Sequence, residues 1–392
     1  MKVVIFLGGF QYGVVNDFAY SIGEVLMQNG IKVKFLDLNK TLTSQDIQAT
    51  FNESVDFVLS FNGIGCDLRV DNQSLYDYLN IPFVIWLVDH PIYLMSRILE
   101  PIKKKVIVCI DDTHVEYIES KPEIKAITTF IPHAAPYKIL NFTEENRNLN
   151  TVFAGYITTD EDVLNDIKKL HPSLSEIIPY LNQIVKQNGN YDLKELILDL
   201  NLLYPKVKEL MINNIFIECS IAAVCDKYIR GIKRNKFIYT LLEENICIDF
   251  FGNISENHPF KTHTKFKDHG VISFDELEEI FLKAKTVINV MPNFPNGGHE
   301  RLFSSMIYGA IPITDSNIYT KKVFEKGLVT IDYPNILEAI PNIKKVISDD
   351  TYRRELQKYN YEIVQQYHTW INRINELLYV LKEANGYWLS NS

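Results

Sequence analysis

The segment Gly297-Gly298-His299-Glu300-Arg301 carries the residue types of an anion site, in the order in which a helix start would present them. Paired glycines let a backbone approach a ligand closely, and the first turn of a helix offers N–H groups with no intrahelical acceptor. Arg301 adds a forked cation suited to a diphosphate, and Glu300 a carboxylate able to accept from two ribose hydroxyls. The apolar run Thr286 to Val290 before it reads as a strand, and Gly309 ends the helix ahead of a second apolar run. Strand, loop, helix and strand in this order put the segment at the carboxyl end of a parallel strand, where ligands of open sheets bind.

Three earlier junctions have related patterns. Gly8-Gly9-Phe10-Gln11-Tyr12-Gly13 follows an apolar run and leads to a helix starting near Asn16 or Asp17, with Gly9 as a close backbone contact to a ligand. Its spacing departs from G-x-G-x-x-G, although Asp37 at the end of the second strand keeps a nicotinamide reading open beside that of a simple tight turn. Asp89-His90-Pro91 sets a carboxylate beside an imidazole at a strand end, a pair able to deprotonate a hydroxyl. A helix cap and a satisfied turn histidine form the alternative there, as they do for Asp111-Asp112-Thr113-His114. Ile131-Pro132-His133-Ala134-Ala135-Pro136 puts a histidine where the chain leaves its first half.

Positioning these groups takes two lobes, because 392 residues exceed what one core usually serves. Short apolar runs near 2–7, 31–36, 55–60, 82–88, 105–110 and 125–130 alternate with amphipathic stretches, which is the pattern of a doubly wound parallel sheet. Phe83 to Val88 is apolar on both faces and so belongs mid-sheet. A second series begins at Thr151, is interrupted by a long helical region at 160–243, and resumes through strands at 246–250, 286–290 and 310–314. The expected domains are 1–135, a linker 136–149, a second domain 150–365, and a terminal helix 366–392 for which capping the second domain and crossing back to the first are both open.

Composition narrows the class. With 46% hydrophobic and 23% charged residues the chain is expected to fold throughout, and its net charge of -9 argues against nucleic acid as a partner. The basic stretches Lys103-Lys104-Lys105 and Arg230 to Lys236 read as solvated helix ends. Five cysteines without a C-x-x-C pair point to a reducing, cytoplasmic setting with no zinc site. The opening apolar run is too short for a secretory signal and no run approaches 18 residues, so no integral membrane segment is expected, with peripheral contact left open.

The run G-G-H-E-R-L-F-S-S-M-I-Y-G-A-I-P-I-T-D from Gly297, with H-G-V-I-S-F-D-E-L-E-E-I-F-L-K-A-K-T-V-I-N-V at 269–290, resembles the carboxy-terminal domain of GT-B glycosyltransferases, particularly the spore-maturation CgeB-like group. The resemblance covers about residues 225–320 and extends weakly to Phe153-Ala154-Gly155 and Phe251-Gly252-Asn253. It implies two Rossmann-like domains facing across a cleft and transfer of a hexose or N-acetylhexosamine from a nucleoside-diphosphate sugar, UDP-linked, to a glycan, lipid or protein hydroxyl. It implies no metal and no cofactor beyond the donor. Arg301 would lie at the diphosphate, Glu300 or its neighbours at the ribose, with Arg230 or Lys233 as supplementary phosphate ligands and Gly298, His299 and Gly252 as further contacts to the donor. Many family members carry an acidic residue where Ser304 stands, so the ribose role falls to Glu300 or to the Ser304 hydroxyl, or the departure marks a scaffold that binds without turnover. In an inverting reaction His90 or Asp17, with Asp89 beside His90, would supply the base. A nicotinamide oxidoreductase or a non-hydrolysing epimerase is the remaining alternative.

Overall fold

Parallel pairing governs both sheets of the computed structural model, which describes residues 1–10, 13–41, 43–137, 147–187, 191–291, 293–324 and 326–390. Gln11, Tyr12, Pro292 and most of the expected linker lie outside the described residues. The chain divides into two units, Met1–Tyr137 with His368–Ser392, and Lys138–Tyr367.

In the first unit, β1 (Lys2–Leu7), β2 (Lys32–Asp37), β3 (Phe57–Phe61), β6 (Phe83–Trp86), β7 (Lys105–Cys109) and β8 (Ile127–Phe130) form a sheet in the order β2-β1-β3-β6-β7-β8. A two-residue antiparallel ribbon, β4 (Arg69–Val70) with β5 (Gln73–Ser74), stands apart from it. The residues of β6 have no exposed surface, as a run apolar on both faces requires. The helix Trp370–Ser390 completes this unit's core, its Trp370 ring lying 5.3 Å from Phe18 and 5.8 Å from Trp86. Arg373 fastens it by donating from Nε to the His133 carbonyl at 3.2 Å and pairing with Glu376.

The second unit orders its strands β11-β10-β9-β12-β13-β14, where β9 is Leu149–Ile157, β10 Ile248–Ile254, β11 Phe266–Asp268, β12 Ala284–Asn289, β13 Ile311–Asp315 and β14 Val329–Ile331. Among the described residues the long helical region resolves into five α-helices and one 3-10 turn, ending with Ile215–Glu243. Arg147, expected in the linker, instead anchors the start of β9. Its guanidinium is buried and donates to the carbonyls of Phe281, Ala284 and Tyr308. Strands β11 and β14 have three residues each, too short to register as periodic runs in the sequence.

Strand order fixes where ligands belong. In the second unit the chain runs from β9 outward to β10 and β11, then returns across β9 to β12 and continues the other way. Crossovers on opposite sides of β9 and β12 open a crevice at their carboxyl ends, and β1 with β3 makes the equivalent point in the first unit. Among the described residues no helix is long and apolar enough to cross a membrane.

Candidate functional site

The crevice of the second unit is built on close backbone approach. Gly252 has φ 143°, and a Cβ placed on it would lie 1.8 Å from the Gly155 carbonyl oxygen on the neighbouring strand. Its glycine is therefore required by strand packing alone.

From the end of β12 the chain runs through Asn293 to Gly298 into the helix Glu300–Ile307. His299 caps that helix, its Nδ1 accepting from the Arg301 N–H at 3.2 Å. A nitrogen used as an acceptor carries no proton, so the 3.5 Å contact between Nδ1 and Glu300 is not an ion pair in that tautomer. Asn317 holds the loop from below, donating from Nδ2 to the Phe294 carbonyl at 2.7 Å and the Gly297 carbonyl at 2.8 Å. A Cβ on Gly298 would come within 3.1 Å of the Phe303 ring. The loop is thus braced before any ligand arrives.

Two cations gather against Phe153 in the middle of β9, and Arg234 also donates to the Tyr156 carbonyl near the strand's end. The guanidinium carbons of Arg234 and Arg301 lie 5.5 and 6.0 Å from the Phe153 ring centroid, brought there from two different helices. Burial, followed by the charges of Arg230 and Arg301, pushes Arg234 down to about 9. Burial also lowers Arg301, with Glu300 opposing. The Nε atoms of both are buried without a hydrogen-bond partner among the described residues. Arg230 is balanced by Asp226 at 2.8 Å, and Asp226 in turn accepts from the Tyr191 hydroxyl at 2.5 Å. Asn293 donates to the Tyr191 carbonyl at 3.1 Å, which joins the helical insertion to the glycine loop. Two like charges on one aromatic face, Arg301 among them at a helix start, make an arrangement suited to an anion.

The other expected residues fall in several places. Lys233, expected as a phosphate ligand, is 1% exposed, with its ammonium 2.5 Å from Asp315 and 4.7 Å from the Tyr333 ring centroid. An ammonium so enclosed supports the wall behind the arginines and offers no direct contact to a ligand. Ser304 is 2% exposed on the inner face of its helix, whereas Glu300 stays partly exposed at the helix start. Gly9 belongs to the first unit, where it borders a cavity of about 620 Å³ with Asn39, Lys40, Gly63, Gly65 and Arg97.

Of the base and turn-residue readings of His90, the local geometry fits the turn residue. It is 3% exposed, its Nδ1 accepts from the Ile92 N–H at 3.2 Å, and its ring packs 4.3 Å from His114. Pro91 starts a tight helical turn that needs a cap, and His90 rather than Asp89 supplies it. Asp89 remains exposed, one oxygen accepting from Asn62 Nδ2 at 2.9 Å. Asp17 lies partly exposed in the first turn of the helix Val14–Gln28. His133 is also buried, 5.6 Å from Phe18.

Sequence reasoning missed Arg234, Asn317 and Asn62-Gly63-Ile64-Gly65. The spacing of Asp226, Arg230 and Arg234 at intervals of four puts all three on one helical stripe, a signal present in the sequence. Asn62, Gly63 and Gly65 all have positive φ, and they follow β3 at the first unit's switch point.

Residues 233–379 match the family described as glycosyl transferase-like. No curated protein matches the sequence. Among solved structures, an alpha-glucosyltransferase in complex with UDP-glucose and DNA containing an abasic site shares 12% identity over 97% of this chain and 99% of its own, with a TM-score of 0.55. The T4 phage BGT in complex with UDP-glucose shares 13% identity over 98% and 99% of the two chains, also with a TM-score of 0.55. Sucrose-phosphate synthase from Thermosynechococcus elongatus shares 11% over 98% and 100%, with a TM-score of 0.52. The chain has the GT-B fold. Its second unit, with the first part of the terminal helix, carries the glycosyl transferase-like match.

These neighbours also overturn the exclusion of nucleic acid. Alpha-glucosyltransferase structures that match 97% of this chain are complexes with DNA. Net charge was a poor guide, because contact with a polyanion is decided by local potential and not by the sum over a chain.

Proposed function

We propose that this protein is a catalytically active glycosyltransferase that moves a sugar from a UDP-sugar to an acceptor hydroxyl. The observation that carries the reading is the pairing of Arg234 and Arg301 over Phe153 at the switch point of a GT-B second unit. In the proposed reaction the anomeric carbon–oxygen bond to the β-phosphate breaks, and the diphosphate leaves with added charge that the two guanidiniums and the helix start would stabilise. The acceptor oxygen forms the new bond and its proton passes to a base. For an inverting outcome Asp89 is the best-supported base, since its carboxylate is exposed and oriented by Asn62. Glu300 is the better candidate for the ribose, because Ser304 is enclosed.

Placement in the CgeB-like group is the narrower assignment that the motif at 269–315 supports. The acceptor class follows less directly. Neighbours include an alpha-glucosyltransferase with DNA containing an HMU base, so DNA joins glycans, lipids and proteins as a candidate.

The test is release of nucleoside diphosphate from a panel of nucleotide sugars, with chelator present and with each acceptor class added in turn. At least one UDP-sugar is expected to be consumed, faster with its proper acceptor, and Asp89→Asn is expected to lower turnover about 100-fold or more without changing donor affinity. Donor binding with no turnover on any acceptor would support a scaffold instead. Absence of both binding and turnover across the panel would end the proposal.

A further inference from the structure

The first unit has an open sheet edge that faces an aromatic helix. Strand β8 is the last of its sheet, with no strand on its outer side among the described residues. Residues 125–129 all line a groove of about 660 Å³. Side chains of a strand alternate between faces, so the three consecutive lining residues 127–129 of β8 mean that the backbone edge itself borders the groove. The Ile131 N–H donates to the Cys109 carbonyl on β7, which by alternation turns the N–H and C=O of Thr128 away from β7.

The opposite wall is the helix Trp370–Ser390, through Tyr379, Glu383, Tyr387 and Trp388 on one stripe. Tyr379 is 65% and Tyr387 59% exposed, unusual for large aromatic side chains that serve only packing. The two walls match in length. Four residues of β8 span about 13 Å and the helix from Tyr379 to Trp388 about 13.5 Å.

Charge on the rim is one-sided. Lys103 and Lys125 line the groove, and the Lys104 ammonium lies 6.0 Å from the Trp388 ring centroid. Lys105 turns inward to the carbonyls of Ile98 and Glu100, and Glu383 is the one acid of the lining. An occupant would need an extended backbone to pair with β8, apolar side chains for the aromatic wall and acidic ones for the rim.

We propose that this groove binds an extended acidic segment of another polypeptide, which adds to β8 as a further strand and seats apolar side chains against Tyr387 and Trp388. Strand addition is available to a polypeptide and not to a nucleic acid, and it is the open backbone edge that favours a peptide over a single strand of DNA or RNA held by lysines and stacked rings. The proposal is independent of the donor site.

The test uses the full chain and fluorescein-labelled peptides of about eight residues alternating Glu with Val, Leu or Phe, read by anisotropy. At least one is expected to bind, with its Lys-for-Glu counterpart about tenfold weaker or worse. Trp388→Ala, at a partly exposed position, is expected to weaken binding about tenfold. Thr128→Pro removes an outward N–H from an edge strand, where proline is tolerated, and should weaken binding as much while leaving the circular dichroism spectrum unchanged. No binding by any peptide, equal binding by both variants, or preference for labelled oligothymidylate would each overturn the proposal.

Discussion

Replacing Arg301 with alanine separates a ligand role from a structural one. Arg301 shares the Phe153 face with Arg234, and its charge is one of the causes that hold Arg234 down to about 9. Removing it relieves a like-charge contact, so the unliganded variant should be as stable as the parent. Donor binding should suffer, because a charged hydrogen bond to phosphate contributes about 1.5–3 kcal/mol. A loss of about 2 kcal/mol raises Kd about 30-fold. At a UDP-sugar concentration of about 100 times the parent Kd, stabilisation by ligand would be about 2.7 kcal/mol for the parent and about 0.9 kcal/mol for the variant. Thermal unfolding of both proteins with and without the UDP-sugar measures all four values. Equal stabilisation of parent and variant would refute the donor role, and a loss of more than about 2 kcal/mol in the absence of ligand would make Arg301 a structural residue.

Three further outcomes follow from the geometry. Asp226→Asn removes the carboxylate 2.8 Å from Arg230 and should cost about 2 kcal/mol by urea titration while raising the donor KM several-fold. Gly252→Ala should cost about 3 kcal/mol or more, since its Cβ would meet backbone at 1.8 Å, whereas Gly298→Ala, meeting a ring at 3.1 Å, should cost about 1 kcal/mol; melting curves compare them. His368 is held down to about 3 by burial and by Arg373, below its ordinary value of 6.5, so the unfolded chain takes up a proton that the folded one refuses. Stability should be unaffected by this group above pH 6.5 and fall by about 2 kcal/mol between pH 6.5 and 5, a slope that His368→Gln should remove in urea titrations across that range.

Periodicity made both sheets legible, because parallel strands covered on two faces leave unbroken apolar runs such as Phe83 to Trp86. The short edge strands β11 and β14 escaped, having too few residues to show a period. At the site, Gly297 to Arg301 announced a helix start through residue type alone. Arg234 did not stand out, because a lysine- and arginine-rich stretch looks the same whether it is solvated or turned toward a crevice. His90 was ambiguous for a related reason: a histidine after a strand suits a base and a turn cap equally, and only its burial and its bond to the Ile92 N–H distinguish them. Asn317 braces the Gly297 loop from 20 positions away in sequence, a relation that no local pattern encodes.

The helix that begins at Trp370 bears on how the chain is made. The Ala135 carbonyl accepts from the Trp370 N–H and the Ala135 N–H donates to the His368 carbonyl, yet these partners leave the ribosome roughly 230 residues apart, a delay of about 10–50 s at ordinary rates of translation. Throughout that interval the first unit lacks the indole that covers Phe18 and Trp86. The second unit is contiguous and can finish folding before the first. Synthesis should therefore produce a nascent chain whose first unit completes its core only after its second unit has emerged.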